Sequence, residues 1–194
     1  MNIQSAIIEG RNILRNNFIQ TANLDAEILM AKVLETNREE IIFNSSKSLE
    51  EKHFKKFKKL IEERATKKPI AYLLNKKYFW NNEFLVTKDT LIPRPDTEVV
   101  VEQILNLTKH KNKINILDIG VGSGCILLTI LKERKNFYGT GIDISKNSLN
   151  ICKINAKKLK VDKRTKFYKT NVDKFAQGKY DLIVSNPPYI KRCD

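Results

Sequence analysis

From Ile114 onward the chain alternates short β-branched apolar runs with longer amphipathic stretches, and this rhythm restricts its fold more than any other feature. Residues 114–119, 137–144, 165–169 and 182–184 read as strands, and 123–134 and 145–159 as helices, with Ser145 as an N-cap. Apolar strands separated by helices belong to a parallel sheet covered on its faces. The expected fold class is therefore α/β, a doubly wound Rossmann-like sheet that binds ligands at the carboxyl ends of its strands.

The first seventy residues follow a different pattern. Ile3, Ala6, Ile7, Ile13, Leu14 and Phe18 keep helical spacing, as do Ile28, Leu29, Val33 and Leu34. Ser48-Leu49-Glu50-Glu51 reads as a capping box opening a long helix with Phe54, Phe57, Leu60 and Ile61 on its apolar face. Tyr78-Phe79-Trp80 and Phe84-Leu85-Val86-Thr87 read as two short strands around an Asn81-Asn82 turn. Ile92-Pro93-Arg94-Pro95-Asp96-Thr97-Glu98 is a rigid lead into a helix ending near Thr108, with Asp96 or Thr97 as its cap. Three parts are thus expected: an all-α domain over 1–75, a β-hairpin linker over 76–92 and an α/β domain over 93–194.

Composition excludes several classes. No run approaches the ~18 apolar residues of a membrane span, and the first residues lack a signal or transit pattern. Cys125, Cys152 and Cys193 are widely spaced and form no C-x-x-C pair, so neither a disulfide framework nor a metal site is expected. A cytoplasmic, soluble protein with no bound metal fits these features. The formal charge of +14 suggests a polyanion partner, yet 28 of the 36 basic residues are lysine and only 8 arginine. Lysine, asparagine and isoleucine share AT-rich codons, so genome composition accounts for much of the excess, and lysines along helices are usually a solvated face.

Chemistry-bearing residues sit at the expected strand ends. Gly120, Val121, Gly122, Ser123 and Gly124 follow the first strand of the α/β part, where alternate glycines permit positive φ and close ligand approach. Their spacing departs from the dinucleotide G-x-G-x-x-G, which disfavours a pyrophosphate ligand. Asp143 ends the second strand, 19 residues after Gly124, where a carboxylate accepts from both ribose hydroxyls. Asn171 and Val172 follow the third strand, placed to accept from an adenine amine and to pack on its ring. Asn186-Pro187-Pro188-Tyr189 follows the fourth strand. Its amide oxygen, stiff proline carbonyls and aromatic ring suit the grip of a planar NH2 group. A nucleoside site without a phosphate-binding lysine fits S-adenosylmethionine better than NAD or ATP.

Lys68-Pro69-Ile70-Ala71-Tyr72-Leu73-Leu74, Phe79-Trp80, the segment from Leu91 to Glu98 and the segment from Asp181 to Ile190 together resemble the HemK-type protein-(glutamine-N5) methyltransferases. That resemblance implies a class I S-adenosylmethionine-dependent methyltransferase domain, cut after its fourth strand. It is preceded by a helical domain that recognises release factors and by a hairpin linker. It implies methylation of the glutamine in the Gly-Gly-Gln loop of peptide chain release factors. Gly120 to Gly124 would wrap the methionine part of S-adenosylmethionine, Asp143 its ribose, and Asn171 and Val172 its adenine. Asn186 and the Pro187 carbonyl would hold the substrate amide, with Asn186 also touching the cofactor and Pro188 and Tyr189 completing the wall. Val172, Asn171 and Asn75 stand where the family more often has a larger residue, an acid and a glycine, which bears on cofactor affinity. Family members continue through three further strands, so a C-terminal segment beyond Asp194 and weak activity of these 194 residues alone are also implied.

Two other functions share these motifs. An adenine-N6 DNA or RNA methyltransferase uses a similar Asn/Asp-Pro-Pro-Tyr to hold an exocyclic amine and would match the basic charge. A catalytically impaired remnant that only binds a partner is the third. The Pro-Arg-Pro-Asp-Thr-Glu segment favours the protein-glutamine enzyme, for which no direct contact with nucleic acid or membrane is required.

Overall fold

The computed structural model describes residues 1–187; Pro188 and Tyr189, both assigned above to the substrate pocket, lie outside the described residues. The chain divides into two compact units, Met1–Leu74 and the part from Asn75 onward.

The first unit is all helical: α1 (Ile3–Asn16), α2 (Ala22–Val33), α3 (Arg38–Phe43), α4 (Glu51–Ala65) and α5 (Ile70–Leu74). Asn2 and Asn37 cap α1 and α3 by accepting from the Ser5 and Glu40 amides. Leu14, Leu29, Met30, Ile41, Phe57 and Ile61 are fully buried between the helices. Gly10 lets α4 lie against α1, since a Cβ there would stand 2.7 Å from the Phe57 ring. Arg64 of α4 pairs at 2.7 Å with the buried Asp25 of α2, which also accepts from Thr21. The expected Ser48 cap does not form. Ser48 instead bridges to Asn2, and α4 opens at Glu50 without a side-chain cap, because backbone pairing of 47–49 with 1–3 claims that segment.

The second unit opens with a hairpin, β1 (Lys76–Phe79) and β2 (Asn82–Leu85). Its turn falls one residue earlier than the expected Asn-Asn pair. Trp80 and Asn81 both have positive φ, the geometry of a tight primed hairpin turn. Trp80 tolerates that backbone because its amide donates to Glu98 at 2.8 Å and its indole N–H to Glu133 at 3.1 Å. Phe79 and Phe84, edge to face at 6.1 Å, are buried with Val101, Ile104 and Leu131. The hairpin therefore belongs by its packing to the second unit's core.

A 3-10 turn (Pro95–Thr97) leads into α6 (Glu98–Leu107). Neither Asp96 nor Thr97 caps it: the Thr97 side chain makes no cap bond, and the short turn itself satisfies the first amides. Then follow β3 (Asn115–Ile119), α7 (Cys125–Glu133), β4 (Tyr138–Asp143), α8 (Lys146–Lys158), β5 (Thr165–Lys169) and β6 (Leu182–Ser185). The strands form one parallel sheet ordered β5-β4-β3-β6. Successive strands run outward from β3 to β5, then the chain returns to the other side of β3. The strand order thus reverses between β3 and β6, the switch point at which open α/β sheets bind ligands.

Register on that side is pinned at the strand starts. The Asp181 amide donates to the Asn115 carbonyl, and the Asn115 amide donates to the Asp181 carboxylate at 2.7 Å. Ser185 is thereby paired with Ile119, and Asn186 comes level with the glycine loop. Arg164 fastens the far end by donating to the carbonyls of Leu131, Arg134 and Phe137, closing the C-terminus of α7.

Candidate functional site

Between β3 and α7 the backbone turns on three glycines with positive φ: Gly120 (74°), Gly122 (54°) and Gly124 (83°). Their reasons differ. A Cβ on Gly124 would stand 2.7 Å from both Cys152 Sγ and a Leu128 methyl, so this glycine allows the loop to pack on α7 and α8. A Cβ on Gly120 would meet nothing within 4 Å, and one on Gly122 only the Gly120 carbonyl at 3.8 Å. Those two present bare backbone to open space, the arrangement a ligand requires for close approach. Val121 and Ser123 are buried beneath the loop.

Asp143, at the end of β4, braces this loop. One carboxylate oxygen accepts from the Gly122 amide at 3.0 Å and the other from the Ser145 amide at 2.8 Å. Ser145 caps α8 as expected, so Asp143 is not the helix cap. An ionised carboxylate offers about four lone-pair sites, so capacity remains for a ligand's hydroxyls.

Asn171 and Val172 follow β5 and face the same opening. A cavity of about 440 Å³ is lined by Gly120, Gly122, Asp143, Asn171, Val172 and Asn186. Its size lies in the range of small-ligand sites. Val172 and Ile144, 47% and 72% exposed, supply its apolar side. A smaller hollow of about 50 Å³ adjoins it, where Arg94 and Thr97 meet Asp118, Ser123, Cys125 and Asn186. A larger concavity of about 540 Å³ opens at the amino-terminal ends of β3 to β5, beside Tyr138, Lys163 and Tyr180. It holds none of the expected site residues and lies at the wrong end of the strands for the sheet's ligands.

Asp118, Asn155 and Thr97 escaped the sequence reading as site residues. Asp118 is buried on β3, and burial pushes its carboxyl up to about 7, with a backbone hydrogen bond to Leu127 opposing the rise and the charge of Asp143 adding to it. The same burial raises the Cys125 thiol to about 12 and the Cys152 thiol well above its ordinary value, so neither is a thiolate nucleophile at neutral pH. Asn155 of α8 is fully buried. Its amide nitrogen donates to the Leu85 carbonyl at 3.0 Å and the Ser123 carbonyl at 2.9 Å, and its oxygen accepts from the Leu85 amide at 2.8 Å. It thus ties hairpin to glycine loop. Thr97 accepts from Asn186 Nδ2 at 3.3 Å. No periodicity or motif spacing marks these contacts, because each joins segments at least 32 residues apart or depends on burial. Among the described residues no group of acidic, His and Cys side chains could hold a metal ion, and no helix is long and apolar enough to cross a membrane.

Two family models match the chain: the PrmC N-terminal domain over residues 5–74 and the methyltransferase small domain over 96–194. A release factor glutamine methyltransferase of Buchnera aphidicola from Acyrthosiphon pisum is 38% identical over 195 residues, covering 99% of this chain and 68% of that one. The chain belongs to the release factor glutamine methyltransferase family. A second Buchnera member, from Schizaphis graminum, is 42% identical over 166 residues, 86% of this chain and 60% of that protein. A family member from Shewanella oneidensis is 35% identical over 175 residues, 90% of this chain and 61% of the relative. The chain therefore spans about three fifths to two thirds of the length of these family members. Within it, the structure brings Gly120, Gly122, Asp143, Asn171, Val172 and Asn186 to one opening, with Val121, Ser123 and Gly124 as the supporting turn and Pro187 directly following.

Proposed function

We propose that this chain transfers a methyl group from S-adenosylmethionine to the side-chain amide nitrogen of a glutamine, that of the Gly-Gly-Gln loop in peptide chain release factors. One observation carries the reading: Asn186, across the β3/β6 switch point, lines the same cavity as the glycine loop and Asp143. The names of the relatives support the substrate.

The residues present fit the cofactor. Gly120 and Gly122 offer bare backbone to its methionine part, Asp143 has acceptor capacity for ribose hydroxyls, and Val172 with Ile144 offers an apolar face to adenine. When bound, S-adenosylmethionine supplies an electrophilic methyl on a positive sulfonium. The chain's own contribution is placement. A glutamine amide nitrogen is a weak nucleophile because its lone pair is delocalised into the carbonyl. Asn186 accepts one of its N–H groups and the Pro187 carbonyl the other, turning the nitrogen toward the cavity. Alignment of this kind supplies up to ~7–11 kcal/mol of a barrier in ideal cases. No strong base is required, because the nitrogen's proton becomes acidic only as the new bond forms and then leaves to solvent.

Within this proposal the helical domain over 1–75 recognises the release factor, 76–92 is the connecting hairpin and 93–194 carries the methyltransferase site. Phe18 and Phe43, 87% and 89% exposed on the helical unit, offer apolar anchors for a protein partner. The test is transfer of a radiolabelled methyl group to purified release factor, compared with a variant whose loop glutamine is alanine, beside DNA and RNA controls. Label that vanishes with the alanine variant is expected. Label entering nucleic acid instead would place the NH2 grip on an adenine.

A further inference from the structure

Helix α8 carries two buried polar side chains, Ser148 and Asn155, where apolar residues would complete its inner face. With Cys152 between them they fall at helical spacing on one stripe. Both are spent on the segment that follows the hairpin. The Ser148 hydroxyl donates to the Asp89 carbonyl at 2.7 Å, and Asn147 donates to the Asp89 carboxylate at 3.1 Å. Asn155 takes both the amide and the carbonyl of Leu85, at 2.8 and 3.0 Å. Its amide nitrogen also donates to the Ser123 carbonyl in the glycine loop, at 2.9 Å. A backbone N–H only donates and a carbonyl only accepts, so these three partners admit the Asn155 amide one way round.

Two stretches of the 440 Å³ cavity's lining are thereby held on a single helix. One is the glycine loop, with Gly120 and Gly122; the other is residues 89–91. Asp143 fixes the loop at the Gly122 amide, and Asn155 fixes it at the next residue by the Ser123 carbonyl. Asn155, Leu85 and Val86 do not themselves line the cavity. We propose that Asn155 is a positioning residue for cofactor binding. It joins the glycine loop to the tail of the hairpin, so that the two stretches keep their spacing before the cofactor arrives. A loop that must instead be ordered on binding costs affinity. The join also makes the effect reciprocal: a ligand held by the loop is felt at the hairpin tail. The role rests on the cofactor occupying this cavity, as proposed above, and not on the glutamine substrate.

The test separates positioning from mere stability. Asn155→Leu removes the join. Ile114→Ala truncates a buried side chain at the opposite end of the sheet and is expected to lower the urea midpoint comparably. In the intact chain, under conditions where every variant is folded, calorimetry with S-adenosylhomocysteine is expected to show affinity three- to tenfold weaker in Asn155→Leu, the range of one neutral hydrogen bond. Ile114→Ala is expected to stay within about twofold of wild type. Asn155→Ser keeps a hydroxyl and leaves space for water, and is expected to fall between wild type and leucine; it carries the test should the leucine variant fail to fold.

A spectroscopic readout follows the join itself. The Val86 amide donates to the Asn75 carbonyl, a bond that no variant touches. Addition of S-adenosylhomocysteine is expected to shift the Val86 amide resonance together with those of Gly120 and Gly122 in wild type and in Ile114→Ala. In Asn155→Leu only the loop resonances are expected to shift. Wild-type affinity in the Asn155 variants, an equal loss in Ile114→Ala, or a Val86 shift that persists in Asn155→Leu overturns the positioning role. A wild-type chain that binds no S-adenosylhomocysteine overturns the reading of the cavity instead, and the role falls with it.

Discussion

Asn155 offers the sharpest stability test, because one side chain serves two elements that build the site. Replacement by leucine keeps the branched skeleton of the side chain and removes all three of its hydrogen bonds. The Leu85 amide, the Leu85 carbonyl and the Ser123 carbonyl then lose their partner. A buried polar group left unsatisfied costs about 1–3 kcal/mol. Leu85 is half-buried and water reaches it, so its two groups fall at the low end, while Ser123, 3% exposed, falls higher. The sum is about 4 kcal/mol, and the added apolar burial of leucine returns ~1. A net loss of about 3 kcal/mol, at a urea slope of ~2 kcal/mol per molar, lowers the unfolding midpoint by about 1.5 M. Trp80 is the chain's one tryptophan and stands on the hairpin that Asn155 holds, so its fluorescence reports this unit and not the helical one. A midpoint within ~0.5 M of wild type would refute the reasoning, since it would mean that water replaces all three bonds at almost no cost.

Other perturbations separate the roles of neighbouring residues. Gly124→Ala places a Cβ 2.7 Å from Cys152 and Leu128 on a backbone with φ of 83°, and is expected to lower stability by about 2–4 kcal/mol by thermal or urea unfolding. Gly120→Ala meets open space, so a loss of only ~1 kcal/mol is expected beside a marked rise in the calorimetric dissociation constant for S-adenosylhomocysteine. Asp118 titrates at about 7 when folded against an ordinary 3.8, so the native state holds a proton that the unfolded chain has released. Its contribution to stability is therefore fully present below about pH 4 and is lost as pH rises to about 7. Asp118→Asn is expected to flatten that fall, and equal slopes of urea midpoint against pH in the two proteins would contradict the burial argument. Asp143→Ala removes the acceptor for both the Gly122 and Ser145 amides, so loss of cofactor binding together with lowered stability is expected, with Asp143→Asn intermediate.

The α/β half was legible because its strands carry their own signal. Residues 165–169 and the Ser145 cap stand where alternating strand patterning and capping chemistry put them, and the ligand end of the sheet follows from strand order. Misplaced features are those where tertiary pairing outweighs local preference. Ser48 has capping chemistry, yet the pairing of 47–49 with 1–3 leaves α4 to start at Glu51. Trp80 is a poor residue for positive φ and sits there because Glu98 and Glu133 hold it. Helix α3, only six residues long, is too short for a periodic pattern to mark it. In the site, glycines and acids at strand ends were readable one by one. Thr97 and Asn155 were not, because a threonine hydrogen-bonded to an asparagine 89 positions away leaves no trace in spacing.

The central claim is that Asn186 and the cofactor cradle act on one glutamine nitrogen. Tandem mass spectrometry of a release factor incubated with S-adenosylmethionine and this chain tests it directly, run beside the Asn186→Ala variant. The expected result is a single added methyl on the side chain of the Gly-Gly-Gln glutamine, absent with the variant. A methyl on another residue, or one that persists at equal rate with Asn186→Ala, would contradict it.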